Sequence, residues 1–192
     1  PGGTGAVSSE RDSVLHSWCV PANWDAPTVT GGHGAWLVLE DGRQILDMSS
    51  LAECSNLGHQ HPQVVDAIRR QASELCFVTA AWGAAPRRAL AERLLELAGF
   101  DGGLVYFTLA GADANENAVR IARLAADRPE GLIITRERSY HGASHFGMAL
   151  SGDARTMHQA DAAAWGVRRV PPPYSYRCAF GSTTAVDCGR RA

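Results

Sequence analysis

Hydrophobic and polar positions alternate first over residues 34–47, GAWLVLEDGRQILD, where two β-rich runs flank Asp41-Gly42. That dipeptide favours a tight type I′ turn, so the segment reads as a β-hairpin. Helical spacing follows. Val64, Val65, Ile68, Ala72 and Leu75 fall on one face of a helix that Pro62 suits as first residue. A loop, FVTAAWGA, leads to Pro86, and a second helix presents Leu90, Leu94 and Leu97 before stopping near Gly99. Residues 104–109, LVYFTL, are a continuous apolar run of strand length. GADANE follows, then a helix marked by Ala118, Ile121, Ala122 and Ala125 and ended by Arg128-Pro129. GLIIT at 131–135 is a second buried-type strand. Strand, helix and strand in this order predict a βαβ unit with a parallel sheet and a right-handed crossover. Beyond Leu150 the periodicity weakens, and Trp18 to Val29 is irregular. With only two strong parallel strands, the expected class is α/β with an incomplete sheet and an apolar strand edge.

Composition narrows this picture. The chain has 192 residues, 45% hydrophobic and 20% charged, as in globular proteins. No apolar run has the length of a membrane span, and a net charge of −2 argues against nucleic acid as partner. Residues 1–12 are small and polar without the apolar stretch of a secretory signal, and are expected to be a disordered tail. All 18 basic residues are arginine, so the chain has no lysine. The five cysteines, Cys19, Cys54, Cys76, Cys178 and Cys188, are widely spaced without a CxxC. They read as reduced thiols of a cytoplasmic protein rather than a disulfide framework.

Two junctions can carry chemistry. At 108–116 a small-residue turn joins the first strand to a helix, where Gly111 and Ala112 allow close backbone approach and the free N–H groups favour an anion. Asp113 and Glu116 have capping-box spacing, with Asp113 expected as N-cap. A capped helix without ligand satisfies these residues equally. After the second strand, Ser139-Tyr140-His141-Gly142 offers an aromatic face and a turn at the carboxyl end of the sheet, where open α/β sheets bind ligands. A loop tyrosine packed on its neighbours is the plainer alternative. His59-Gln60-His61 lacks a further ligand for a metal and is expected to position the helix start, so no metal is expected. Trp36, Trp82 and Trp165 are expected to pack in a core or interface, with Trp82 also a candidate pocket wall.

DGRQILD, SNLGHQHPQVVDAIRRQ, GADANENAVRIAR and RSYHGAS, in this order, resemble class III aminotransferases, which are pyridoxal 5′-phosphate (PLP) enzymes of the aspartate-aminotransferase fold. RVPPPYSYRCAFG with Asp187-Cys188-Gly189 is similar to the branch containing taurine–pyruvate aminotransferases. The resemblance spans residues 16–192. It implies an N-terminal β-hairpin segment at 13–60 belonging to a small domain, then at 61–192 the first part of a PLP-transferase large domain, a parallel-type sheet with flanking helices. It implies that Gly111 and Ala112 bind the PLP phosphate, that Tyr140 stacks on the pyridine, and that His141 and Gly142 shape the ring's edge. Leu51, Ala52 and Trp82 fall in segments that line the substrate pocket. The implied reaction moves an amino group from an amine or amino acid to an oxo acid, in a homodimer. Ala112 stands where many relatives have serine, and SSLAECSN at 49–56 departs from the usual wording. The Schiff-base lysine, the acidic partner of the pyridine nitrogen and a substrate-binding arginine come later in the family than any region here. The chain alone is therefore expected to be inactive. The competing readings are a truncated, non-catalytic remnant that at most binds a phosphate-bearing ligand or a partner chain, and an unrelated doubly wound phosphate-binding domain.

Overall fold

A computed structural model describes residues 10–155 and 166–192. Of the expected tail, residues 1–9 lie outside the described residues, and Glu10–Asp12 forms a 3-10 turn. Trp165 also lies outside them. The chain divides into two compact units, Pro1–Ala84 and Ala85–Ala192.

The first unit is built on a three-stranded antiparallel sheet in the order β1 (Val29–His33), β2 (Trp36–Leu39), β3 (Gln44–Leu46). The expected hairpin is β2–β3, with Trp36 opposite Leu46 and Val38 opposite Gln44. Its turn differs from the type I′ expectation. Gly42 has φ +83°, but neither Glu40 nor Asp41 has a positive φ. Gly42 N–H donates to Leu39 O at 3.0 Å and Leu39 N–H to Arg43 O at 2.9 Å, the three-residue loop with a bulged glycine. The Asp41 carboxylate instead accepts from Arg43 N–H and Nε at 3.0 and 2.7 Å. Strand β1 was not expected, because its Gly31-Gly32 pair carries no apolar signal; it bulges between Val29 and Gly31. A one-turn element, α1 (Ser50–Glu53), and helix α2 (Pro62–Glu74) complete the unit. Pro62 occupies the first turn of α2 as expected.

The second unit holds α3 (Ala85–Ala98), α4 (Gly111–Ala125), β4 (Ile133–Arg136), α5 (His145–Leu150), β5 (Val167–Val170), a 3-10 turn (Ser175–Arg177) and α6 (Ala185–Arg191). β4 and β5 pair in parallel, Ile133 opposite Val167 and Arg136 opposite Val170. The buried core is small: Thr135, Ala149, Leu150, Ser151, Val167 and Cys188. Arg169 on β5 serves it by donating through Nε to Ser151 O at 2.9 Å and through a terminal nitrogen to Ala149 O at 2.7 Å. These are carbonyls that the end of α5 leaves without intrahelical donors.

Residues 104–109 do not form the expected strand. No ladder partner for them exists among the described residues; β4 pairs with β5 instead. Leu104 is 98% and Leu109 100% exposed. The βαβ unit thus runs from β4 to β5, not from residues 104–109 to β4. Among the described residues no helix is long and apolar enough to cross a membrane.

Candidate functional site

Helix α4 starts one turn earlier than the capping-box spacing suggests. Ala110 is extended, with φ −157° and ψ 168°, and makes no side-chain cap. Gly111 and Ala112 are already helical, so Asp113 is the third helical residue rather than the N-cap. Its carboxylate reaches back to accept from Leu109 N–H at 3.3 Å and from Asn117 Nδ2 at 2.9 Å. The first intrahelical bond is Ala114 N–H to Ala110 O at 3.0 Å. The N–H groups of Gly111, Ala112 and Asp113 therefore point out of the helix end, where the dipole is positive. A Cβ added to Gly111 would meet nothing within 4 Å, so the approach is open.

The loop after β4 closes on this helix end. Asn115 Nδ2 donates to His141 O at 3.0 Å, and Ser144 Oγ donates to the Glu116 carboxylate. Ser144 also caps α5, accepting from Gly147 N–H at 3.1 Å. His141 N–H donates to the buried Ser151 Oγ at 2.9 Å. Gly142 has φ +121°, and a Cβ on it would overlap the Ala112 side chain and lie 2.8 Å from Ala112 Cα. Gly111, Ala112, His141 and Gly142 are thus brought together, with Tyr140, 51% exposed, next to them in the chain.

Two neighbours of Tyr140 escaped the sequence reading. The Arg155 guanidinium lies 5.9 Å from the Tyr140 ring centroid, within cation–π range. Asp153 fixes Arg155 through contacts of 2.6–3.1 Å. Side-chain and backbone hydrogen bonds from Arg155 lower the Asp153 pKa to about 2. The spacing Asp-x-Arg was the available signal.

Leu51, Ala52 and Trp82 belong to the first unit. Leu51 and Ala52 sit in α1, whose four residues all have positive φ: Ser50 50°, Leu51 47°, Ala52 55°, Glu53 66°. This is a left-handed turn, at roughly 1–2 kcal/mol per residue. Asp47 holds it. One carboxylate oxygen accepts from Ser49 N–H and Oγ at 3.0 Å and from Leu51 N–H at 3.4 Å. The other meets His59 Nε2 at 2.9 Å, with the Asp47 side chain only 4% exposed. His59 is in turn fixed by main-chain bonds to Gly34 of 2.7 and 3.1 Å. Trp82 is exposed in a turn, its N–H donating to Thr79 O at 3.1 Å.

Burial pushes the Asp47 carboxyl up, but the bonds from Ser49, His59 and Leu51 outweigh it and leave the pKa below the ordinary 3.8. A depressed folded-state pKa stabilises above the unfolded value and is lost as pH falls through the folded one. The sheet unit should therefore lose stability as pH drops below 3.8, and Asp47→Asn should flatten that acid limb. Trp36 fluorescence during acid titration measures it; an unchanged limb in Asp47→Asn would refute the assignment.

Among the described residues no group of three or more His, Cys, Asp and Glu side chains is placed to hold a metal. A cleft of about 550 Å³ lies along α4 beside Phe146 and includes none of the expected site residues.

Comparison with known proteins bears on this geometry. Residues 21–188 match the family aminotransferase class-III. The diaminobutyrate–2-oxoglutarate transaminase of Halomonas elongata is 34% identical over 163 residues, covering 81% of this chain and 35% of that protein. The acetylornithine aminotransferase of Streptomyces coelicolor is 45% identical over 121 residues, covering 63% and 29%. The taurine:2-oxoglutarate aminotransferase of Bifidobacterium kashiwanohense, solved with PLP and glutamate, is 35% identical with a TM-score of 0.81, covering 92% of this chain and 39% of that one. The chain therefore matches 29–39% of the length of these relatives. The α/β architecture is that of a partial PLP-transferase fold, and the chain belongs to the class III aminotransferases, a PLP-dependent family.

Proposed function

We propose that these residues supply the cofactor-phosphate cradle of an aminotransferase that moves an amino group from an amine or amino acid to an oxo acid. The observation that carries this is the open end of α4 packed against 140–142. Three outward N–H groups suit a phosphate, and an exposed aromatic ring beside them suits a planar heterocycle. The residues present fit PLP: Gly111 and Ala112 would hold its phosphate, Tyr140 its ring face, and His141 and Gly142 the ring's edge. When bound, PLP supplies an electron-withdrawing ring to a substrate amine.

Leu51, Ala52 and Trp82 would line the pocket for the amino donor and the oxo-acid acceptor. We assign residues 13–60 to the family's small domain and 61–192 to part of its large domain. Homodimeric assembly follows from the family resemblance. A cytoplasmic location is supported by five free thiols. Without lysine the 192 residues hold PLP only non-covalently and perform no transfer by themselves.

Binding of PLP and of pyridoxal, which lacks the phosphate, to the 192-residue chain tests this by fluorescence titration. PLP should bind at least about tenfold tighter, one charge-assisted hydrogen bond or more. Gly111→Pro removes one N–H while keeping a residue suited to the first helical position after the extended Ala110, and should reduce that preference. Borohydride treatment should label no internal residue. Equal affinities, or a reduced adduct at an internal position, would overturn the reading.

A further inference from the structure

After α5 the chain returns to the loop that follows β4 and is tied to it on both sides of Tyr140. Arg138 N–H donates to Gly152 O at 2.8 Å and Gly152 N–H to Ser139 O at 2.9 Å. The buried Ser151 hydroxyl accepts from His141 N–H at 2.9 Å. Gly152 is pressed so closely there that a Cβ on it would lie 2.5 Å from Arg136 O and 2.6 Å from Glu137 Cα. Asp153 and Arg155 follow directly from this seam. Arg155 N–H donates to Asp153 Oδ1 at 2.8 Å, and its Nε and a terminal nitrogen reach the same carboxylate at 2.6–3.1 Å. Pairing at two nitrogens fixes the plane of the guanidinium, which a single contact would not. The guanidinium carbon then stands over the Tyr140 ring, 5.9 Å from its centroid.

We propose that Arg155, locked by Asp153, is a positioning residue that holds the Tyr140 ring from one side and leaves the other side to the flat ring of a stacked heterocycle. This rests on the reading of Tyr140 as the contact for the cofactor ring. Tyr140 is half exposed, so burial alone does not fix its ring. A cation over the ring is attracted to the negative face of the π-system and supplies the missing restraint. A ring left free loses rotamer freedom when a ligand stacks on it. A ring already held has less to lose, so affinity rises without a new contact. The Asp153 carboxylate offsets the guanidinium charge, and the neutral pair exerts little pull on a phosphate. Arg155 therefore acts through Tyr140 on the ring of the ligand, whereas the Gly111 and Ala112 N–H groups act on its phosphate.

The test titrates the 192-residue chain with PLP by fluorescence, with inorganic phosphate as competitor. Arg155→Ala shortens an exposed side chain and should keep the fold. It should weaken PLP about two- to fivefold, the size of an exposed cation–π contact, and leave the inhibition constant of phosphate unchanged. Asp153→Asn should weaken PLP in the same direction without touching the ring. Arg155→Ala should cost as much in a Tyr140→Phe background, which keeps the ring, and nothing in Tyr140→Ala. The contact is also read without cofactor. Among the signals of the four tyrosines, those lost in Tyr140→Phe belong to Tyr140, and these ring resonances should shift in Arg155→Ala. An equal loss of PLP and phosphate binding, an undiminished loss in Tyr140→Ala, or unmoved Tyr140 resonances would overturn this proposal alone. Failure of the unaltered chain to bind PLP would overturn the cradle and the proposal with it.

Discussion

Gly142→Ala should destabilise the second unit by about 2–6 kcal/mol and remove the PLP binding proposed for it. Two effects add. The backbone at φ +121° is a conformation that essentially only glycine adopts, at about 1–3 kcal/mol for other residues. The new methyl would also overlap Ala112 and press on its main chain at 2.8 Å, an overpacking of about 1–3 kcal/mol. Gly111→Ala is the control, because its added methyl meets nothing within 4 Å; it should leave stability within about 0.5 kcal/mol. Ala112→Gly should rescue Gly142→Ala in part, removing the overlap between side chains but neither the strain nor the main-chain contact. Urea unfolding of the four proteins decides the matter. Equal loss in both alanine variants would show that the helix end and the loop are not packed as described.

Residues 104–109 should give the second large effect. Their amides should exchange at nearly unprotected rates, while those of Ile133–Arg136 and Val167–Val170 are slowed by the parallel ladder. The chain by itself should associate through this segment, since Leu104 and Leu109 are fully open and Tyr106 and Phe107 are 66% and 40% exposed. Leu104→Glu with Leu109→Glu should suppress association, measured by light scattering, and change stability by no more than about 0.5 kcal/mol, as for surface positions. If either leucine were buried, truncating it would instead cost about 2–5 kcal/mol, and that outcome would place the segment inside a sheet.

The amphipathic helices and the β2–β3 hairpin were legible because their apolar positions repeat at a helix or strand period. The small-residue junctions at 111–112 and 140–142 were legible because glycine and alanine mark close approach. The loss of 104–109 as a strand has a physical cause: an apolar run needs a ladder partner, and periodicity does not supply one. β5 was missed for the opposite reason. Arg168 and Arg169 break its apolar run, and the value of Arg169 lies in carbonyls of α5 that no local pattern reveals. Helices α5 and α6 are short, but each begins at a capping hydroxyl, Ser144 and Thr184, three residues before the N–H it accepts. That spacing was the overlooked signal. The left-handed turn at 50–53 left no trace, since Ser-Leu-Ala-Glu has ordinary right-handed preferences and the Asp47 carboxylate that bonds to it lies outside it.

That turn inverts the usual relation between residue choice and backbone. In the mirror-image region glycine is the level ground and every side chain stands uphill. Stability by itself would erode Ser50, Leu51, Ala52 and Glu53 towards glycine, one side chain at a time. The four residues carry side chains in a geometry that rewards having none, so this short stretch sets presentation of those groups against the robustness of the sheet that bears it.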